Sequence, residues 1–442
     1  MTEEKEKIIL EAELNYTLSD KDGKEIESGK AQGKISEESF FLLPELGHSL
    51  FSPLRDIVKI NAADYKISIQ LISDDIIILS QMGYKYEDFL RVLSRVRNEI
   101  LLKDMLINEP IKKTGIFAEY VYLDSKNKVD QEDKCELRLY ETALTILPEK
   151  NEIFQIPFSS ISHIKEEDHK ISFLLESGEK LFITKLGYQF DVVKKVISDS
   201  MNELTSKVQS HLKELLPEID PITIRKASLL MKEGKVAKRE DLESISPKLW
   251  ALLETKVTET NIKEQYEYLK SLSQQEKICI GLKRGLMDEL TGDYIWFLIP
   301  IYNSEKLGNA VAMESISDDS GEGGGGKATY FFRMVSRKDF PNLKNVKDLD
   351  KELEVFIKNI NRCMIAINFR REPVYLPKQK LEDSQYIRYK FAIKKIPELL
   401  ILRNLFIGRV IHSSFEQWKK DVNSLLEFNF NSKDDNIRWQ KN

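Results

Sequence analysis

The sequence predicts an α+β chain: two copies of a small antiparallel barrel, each closed by a C-terminal helix, then a helical connector and a C-terminal α+β domain. Three observations carry this. The first half is written twice at a fixed spacing. The hydrophobic period changes from two to three-or-four at the end of each copy. Strand-like apolar runs then return near residue 294. The repeat shows in matched pairs: Gly83-Tyr84 and Gly187-Tyr188, Lys66-Ile67-Ser68 and Lys170-Ile171-Ser172, Leu43-Pro44-Glu45 and Leu147-Pro148-Glu149, Pro53 and Pro157, all 104 residues apart. The register holds without a gap from about Ile35/Leu139 to Ile100/Leu204. The divisions expected are a first barrel over 1–107, a second over 112–216, a connector over 217–292, an α+β domain over 293–430 and a polar tail over 431–442.

In the second copy, Cys135 to Tyr140 and Ala143 to Leu147 alternate as strands, and Pro148-Glu149-Lys150-Asn151 is the turn after them. Ile153 to Pro157, Ser159 to Ile164, Ile171 to Leu175 and Lys180 to Thr184 follow, separated by polar turn residues such as Glu166-Glu167-Asp168 and Ser177-Gly178. Phe190, Val193, Ile197, Met201, Leu204, Val208, Leu212 and Leu215 then fall three or four apart, one stripe on one helix. Tyr86, Phe89, Leu93, Val96 and Ile100 do the same in the first copy. A helix with one apolar stripe has to cover the open end of its barrel to bury that stripe. Between the copies, Asn108-Glu109-Pro110 and Gly115 make a short linker, which restricts relative motion and suggests a fixed pair with a composite groove.

The order of elements, the Pro-x-x-x-Ile step (Pro53 to Ile57, Pro157 to Ile161), the strand pair after it and the closing helix resemble the pleckstrin-homology superfold, in its bacterial and GRAM-like branches. The resemblance covers roughly residues 5 to 215. Members that bind phosphoinositides carry a Lys…Arg-x-Arg set across the first hairpin. Here the hairpins are Ser19-Asp20-Lys21-Asp22-Gly23-Lys24-Glu25 and Asp124-Ser125-Lys126-Asn127-Lys128-Val129-Asp130, without arginines to grip phosphate in bidentate fashion. The resemblance therefore implies a scaffold or peptide-binding surface, and specific phosphoinositide binding is not expected. The superfold also occurs in pairs in some histone chaperones, an analogy of fold alone.

Further on, Pro221 opens a helix with Ile224, Ala227, Leu230 and Met231 on one face, ended by Gly234. Ser246-Pro247 starts another, leading to Leu249, Trp250 and Leu253. Ser273-Gln-Gln-Glu276 matches a capping box before Ile278, Ile280 and Leu282, predicting a third. Lys238-Arg239-Glu240-Asp241-Leu242-Glu243 sets three carboxylates against two bases, so the helices make a poor DNA reader. Tyr294 to Tyr302, Ala310 to Ile316 and Ala328 to Val335 are expected as a three-stranded meander. A long helix capped by Asp348 or Asp350 follows, through Phe356, Ile360 and Ile367. Helical stretches at Ser384 to Leu405, split by Pro397, and Ser414 to Leu426 complete the domain.

Composition narrows the function classes. The chain has 442 residues, 41% of them hydrophobic and 31% charged, with a net charge of −5. That balance argues against a protein built wholesale to coat nucleic acid or anionic lipid. No apolar run approaches a membrane span, the polar acidic N-terminus is unlike a secretory signal, and a cytoplasmic location is expected. Cys135, Cys279 and Cys363 are odd in number and far apart, which excludes a disulfide framework and a Cys-x-x-Cys metal knuckle.

Two motifs tempt and are declined. Gly321-Glu-Gly-Gly-Gly-Gly326-Lys327-Ala328 is one residue short of a phosphate loop, Ala328 stands where a magnesium-binding hydroxyl is needed, and Thr329-Tyr330-Phe331-Phe332 favours a strand over a helix. His163 and His169 flank Glu166-Glu167-Asp168, but their first-copy equivalents are Lys59 and Tyr65, so a solvated turn is preferred to a metal site. No cofactor and no metal is expected, and neither a Gly-x-Ser-x-Gly elbow nor a Gly-x-Gly-x-x-Gly loop occurs. One charge asymmetry remains: twelve Lys/Arg against five acids between Arg370 and Lys420, with Tyr375, Tyr386, Tyr389 and Phe391 interleaved. Arg388, Lys390, Lys394 and Lys395 are the candidate contacts to an anionic partner. The expectation is a non-enzymatic interaction scaffold that binds a protein or peptide through its tandem barrels. Peripheral membrane or nucleic-acid association through the basic zone is an alternative, and an enzyme in the C-terminal domain another.

Overall fold

A computed structural model describes residues 7–104, 109–284, 293–302, 308–317, 328–343 and 345–431. The chain is α+β and divides into two compact units, Met1–Ser200 and Met201–Asn442. The first barrel runs β1 (Ile8–Ser19), β2 (Glu25–Ser36), β3 (Ser39–Pro44), β4 (Leu50–Pro53), β5 (Ile57–Ala63), β6 (Lys66–Leu71), β7 (Ile76–Ser80) and α1 (Tyr86–Asp104). The second runs β8 (Ile111–Leu123), β9 (Val129–Tyr140), β10 (Ala143–Pro148), β11 (Phe154–Pro157), β12 (Ile161–Glu167), β13 (Lys170–Leu175), β14 (Lys180–Thr184) and α2 (Phe190–Leu215). Each sheet is a seven-stranded antiparallel meander rolled so that its first strand pairs with its last: β4-β3-β2-β1-β7-β6-β5 and β11-β10-β9-β8-β14-β13-β12. The Pro-x-x-x-Ile step is a single 3-10 turn in each copy, Leu54–Asp56 and Phe158–Ser160. The strand expected from Ser159 therefore starts at Ile161.

The offset of 104 reaches further back than the sequence match, into the first hairpin. The Asp20 carboxylate accepts from the amides of Asp22 and Lys24, and the Asp124 carboxylate accepts from those of Lys126 and Lys128. The left-handed position of that turn is filled by Gly23 and Asn127, two residues that tolerate positive φ. Inside the barrels the copies exchange volume. A Cβ on Gly33 would lie 2.7 Å from the Leu14 side chain and 3.2 Å from Phe89. The second copy has Leu137 at the glycine's position, with Ala118 for Leu14 and Val193 for Phe89, all buried. Large and small have traded places within one packed layer, which is how a core keeps its density while its sequence drifts.

The C-terminal unit is an antiparallel six-stranded sheet in chain order: β15 (Ala237–Lys238), β16 (Cys279–Arg284), β17 (Asp293–Ile301), β18 (Ala310–Ser317), β19 (Ala328–Phe332) and β20 (Phe406–Ile411). Its helices are α3 (Pro221–Leu230), α4 (Arg239–Ile245), α5 (Pro247–Thr258), α6 (Lys263–Ser271), α7 (Val346–Ala366), α8 (Glu372–Tyr375), α9 (Ile387–Lys395), α10 (Pro397–Leu405) and α11 (Phe415–Asn431). Helices α3 to α6 and α11 share one core with one sheet face, joining Ile224, Trp250, Leu253 and Trp418 to Phe297, Ile299 and Phe331. The other face meets α7 and the turn after it, where Trp296 packs edge-on against Phe369 and the Tyr302 hydroxyl donates to Asp350. With both faces covered, β17 is apolar at successive positions instead of alternating.

Four local readings change. Ile278, Ile280 and Leu282 sit in strand β16 and the residue before it, not in a helix; Gln275–Lys277 is only a 3-10 turn. Their spacing of two is a strand's period, and the capping-box match before them was the misleading signal. Strand β20 replaces the gap between the last two helical stretches, and it pairs with β19. Helix α7 is capped by Asn345, whose side chain accepts from the Asp348 amide, in place of Asp348 or Asp350. The residues read as a connector supply β15, β16 and much of the shared core, so packing joins them to the sheet. Pro397 does split its helix and opens α10 at its first turn.

Candidate functional site

Helix α1 buries two stripes. Phe89, Leu93 and Ile100 enter its own barrel. Ser94, Arg97, Asn98 and Leu101, at i, i+3, i+4 and i+7, are also buried, at 1 to 2% exposure. The second stripe lies on β10 and the turn that follows it. Asn98 donates to the carbonyls of Pro148 (3.3 Å) and Asn151 (3.1 Å) and accepts from the Ile153 amide (3.2 Å). Arg97 donates to the carbonyls of Ile57 (3.0 Å) and Val58 (2.7 Å) in its own barrel and to Glu152 (3.1 Å) in the other. Burial lowers the Arg97 pKa, and the Glu152 carboxylate opposes that shift. Arg138 on β9 reaches Glu99, and Lys150 reaches Glu87. These rim pairs add little energy, whereas the buried amide fixes the register. The two barrels are thus docked head to tail within the N-terminal unit.

The copies differ where this docking would repeat. In α2 the equivalent stripe is Ser198, Met201, Asn202 and Thr205, and Ser198 and Asn202 are exposed. All six residues of β10 are buried, while on β3 the equivalents of Thr145 and Leu147 are the half-buried Phe41 and Leu43. Beside them Leu46 is 91% and Phe51 58% exposed, and Phe51 pairs with Phe41 at 5.3 Å between ring centroids. Their second-copy equivalents are Lys150 and Gln155. Sequence reading missed this patch, although aligning the copies at 104 shows it: Phe41 against Thr145, Leu46 against Lys150, Phe51 against Gln155. The repeated Gly-Tyr pair gives a second exposed feature. Gly83 and Gly187 adopt positive φ, which puts Tyr84 and Tyr188 outward at 91% and 92% exposure.

The basic zone is spread out. Of the four residues singled out on α9, Arg388 and Lys394 are exposed, Lys390 is 2.6 Å from Glu382, and Lys395 lies over the Phe391 ring at 5.9 Å. Elsewhere in the zone, Arg403 is buried and donates to the carbonyls of Pro373, Val374 and Leu376, holding the end of α8; burial pushes its pKa down to about 10. Arg409 stacks on Tyr375 at 4.3 Å and Arg371 on Tyr330 at 5.3 Å. Several of these cations are engaged in holding the domain together.

His169 packs edge-on to Phe190 at 6.4 Å, the place where Tyr65 meets Tyr86 in the first copy. A ring contact accounts for it. Among the described residues no group of three or more His, Cys, Asp or Glu could hold a metal ion. The glycine run at 321–327 lies outside the described residues; Ala328–Phe332 after it is strand β19. Cys135, Cys279 and Cys363 are buried free thiols; burial pushes Cys135 up to about 12 and raises the other two. Such thiols are poor nucleophiles at neutral pH. Glu314, Thr329, His412 and Trp418 form a buried cluster: the Glu314 carboxylate accepts from the Thr329 hydroxyl (2.7 Å) and contacts the His412 ring (2.9 Å), and Trp418 donates to Thr329 (3.2 Å). It pins β18 and β19 to α11. On the opposite face, a cavity of about 40 Å³ is lined by Lys283, Trp296, Met313, Met364, Phe369 and Arg371. It has room for a few waters, not for a metabolite.

No family model and no curated protein matches the chain. Among solved structures, one titled "Structure of the Spt16D Pob3N heterodimer" is similar at 13% identity with a TM-score of 0.16, covering 38% of this chain and 85% of that chain. The likeness is too slight to bear on function. Among the described residues no helix is long and apolar enough to cross a membrane.

Proposed function

We propose that the chain is a non-catalytic cytoplasmic scaffold whose N-terminal barrels, read as a tandem pleckstrin-homology-like pair, bind a protein or peptide partner. The observation behind this is the apolar side-chain exposure on that unit: Leu46, Phe51, Tyr84 and Tyr188, held on a pair of barrels locked by Arg97 and Asn98. Large exposed apolar groups on a fixed frame suit recognition of another polypeptide. The anionic-partner reading is weaker, because Lys390 is ion-paired, Lys395 lies over a ring and Arg403 is buried. A photo-crosslinking residue placed at Leu46, Tyr84 or Tyr188 of the full chain tests the reading in native lysate. One discrete protein adduct from these positions, absent from control positions Ile222 and Val355, is the expected result. Failure of every barrel position to trap a protein overturns it.

A further inference from the structure

We infer that the outer face of the β3–β4 hairpin is a docking site for an amphipathic helix of a partner protein. The inference rests on the binding role proposed above and names its site and the partner's chemistry. The molecule contains its own template. On the second barrel the equivalent face already seats a helix, and the occupant is α1. Part of what receives it there recurs in the first barrel as backbone and charge; the departures are Gly47, at φ 128° where Asn151 stands in the second copy, and Lys34, which lies 3.4 Å from Glu11. The Glu149 amide ties its turn to the Lys134 carbonyl at 2.9 Å, and the Glu45 amide ties the equivalent turn to the Lys30 carbonyl at 3.0 Å. The groups that bond Asn98, at Pro148, Asn151 and Ile153, correspond to Pro44, Gly47 and Ser49. Arg138, which pairs with Glu99, sits in register with Thr145; Lys34 sits in register with Phe41.

The differences define the occupant. Glu152, the partner of Arg97, is replaced by His48, so an arginine at that place in the helix loses its carboxylate. Thr145, Lys150 and Gln155 become Phe41, Leu46 and Phe51, so the apolar stripe must be broader. The fitting helix has apolar residues at i, i+3 and i+7, an asparagine at i+4 aimed at the turn, and a glutamate one residue later that would share Lys34 with Glu11. A second copy of this chain fits less well. The equivalent stripe of α2 is Ser198, Met201, Asn202 and Thr205, mostly polar.

The test uses the full chain and a labelled synthetic peptide of residues 86–104. In the peptide three of the residues that face their own barrel are made polar (F89Q, L93K, I100Q), which weakens that face and keeps the docking stripe. Fluorescence anisotropy is expected to show saturable binding, since the β10 face is held by the chain's own α1. Adding R97L to the peptide should tighten binding by about 10-fold, from one further buried apolar side chain. Adding E99K should weaken it. The chain variant L46E/F51E should lose about 10-fold or more, the cost of meeting an apolar stripe with charge. Leu46 and Phe51 are exposed, so an unchanged circular dichroism spectrum will separate lost binding from lost fold. No binding of the R97L peptide up to about 1 mM, the weak limit of specific association, overturns the inference. So does binding that L46E/F51E leaves intact. Concentration-dependent self-association abolished by L46E/F51E, without peptide binding, would assign the face to a second copy and also overturn it. Crosslinks persisting at Tyr84 or Tyr188 in either case would leave the scaffold reading standing.

Discussion

Asn98 and Asn202 are the same residue in the two copies, and only one of them is buried. Replacing each by alanine is therefore a controlled experiment written into the repeat. Asn98→Ala removes two donated hydrogen bonds and one accepted bond, at 3.1 to 3.3 Å, from a side chain 2% exposed. At about 1 kcal/mol for each net bond, and with the partners left dry, the loss is about 3 kcal/mol. Asn202 is exposed, so its alanine variant should change stability by less than about 0.5 kcal/mol. The readout must see the barrels. All four tryptophans, at 250, 296, 418 and 439, lie beyond residue 200, so tryptophan fluorescence reports the other unit. Native-state hydrogen exchange of peptides covering α1 and β10 is the suitable assay. With tenfold for each 1.4 kcal/mol, Asn98→Ala should speed exchange there about 100-fold, and Asn202→Ala should leave it alone. Equal effects, or an Asn98→Ala effect below twofold, would refute the assignment of the amide as the pin between the barrels.

Two other outcomes are expected. The Thr145 hydroxyl is buried at the same interface without a hydrogen-bond partner, so Thr145→Val should raise stability by about 1 kcal/mol in urea unfolding; a loss would mean the hydroxyl has a partner. In the C-terminal unit burial works to raise the Glu254 pKa, but hydrogen bonds from Lys270 and Tyr266 outweigh it and leave it below the usual 4.5. A depressed carboxylate contributes stability that is present above its unfolded pKa and lost as pH falls through the folded one. Tryptophan-monitored urea midpoints should therefore drop below about pH 4.5, and Lys270→Met should lower stability at pH 7 while flattening that acid limb. An unchanged limb in the variant would remove Glu254 from the account.

The repeat, the succession of strands along it and the closing helices were legible because they rest on local signals: alternation, turn residues and a stripe at helical spacing. The long helix through Phe356 was legible for the same reason, and the strand ending near Tyr302 as an unbroken apolar run of strand length. Strand β16 was not, because Ile278, Ile280 and Leu282 follow a capping-box match that formed only a 3-10 turn. Strand β20 was not, because Phe406 to Ile411 is a short apolar run beside a leucine-rich helix, and such a run carries no period of its own.

The amino-acid sequence by itself determined that a fold was duplicated, and where each copy begins, bends and closes. Spacing survives in a single chain, and 104 residues of offset keep it visible. Only the tertiary structure decided how the copies meet. Arg97, Asn98 and Ser94 look like the solvated side of α1, and nothing in their own neighbourhood in the chain marks them as buried. They are buried because the end of β10 and the turn after it, some fifty residues later, supply carbonyls, an amide and a carboxylate at hydrogen-bond distance. A polar residue's burial is fixed by its partner, and that partner is known only once the chain has folded.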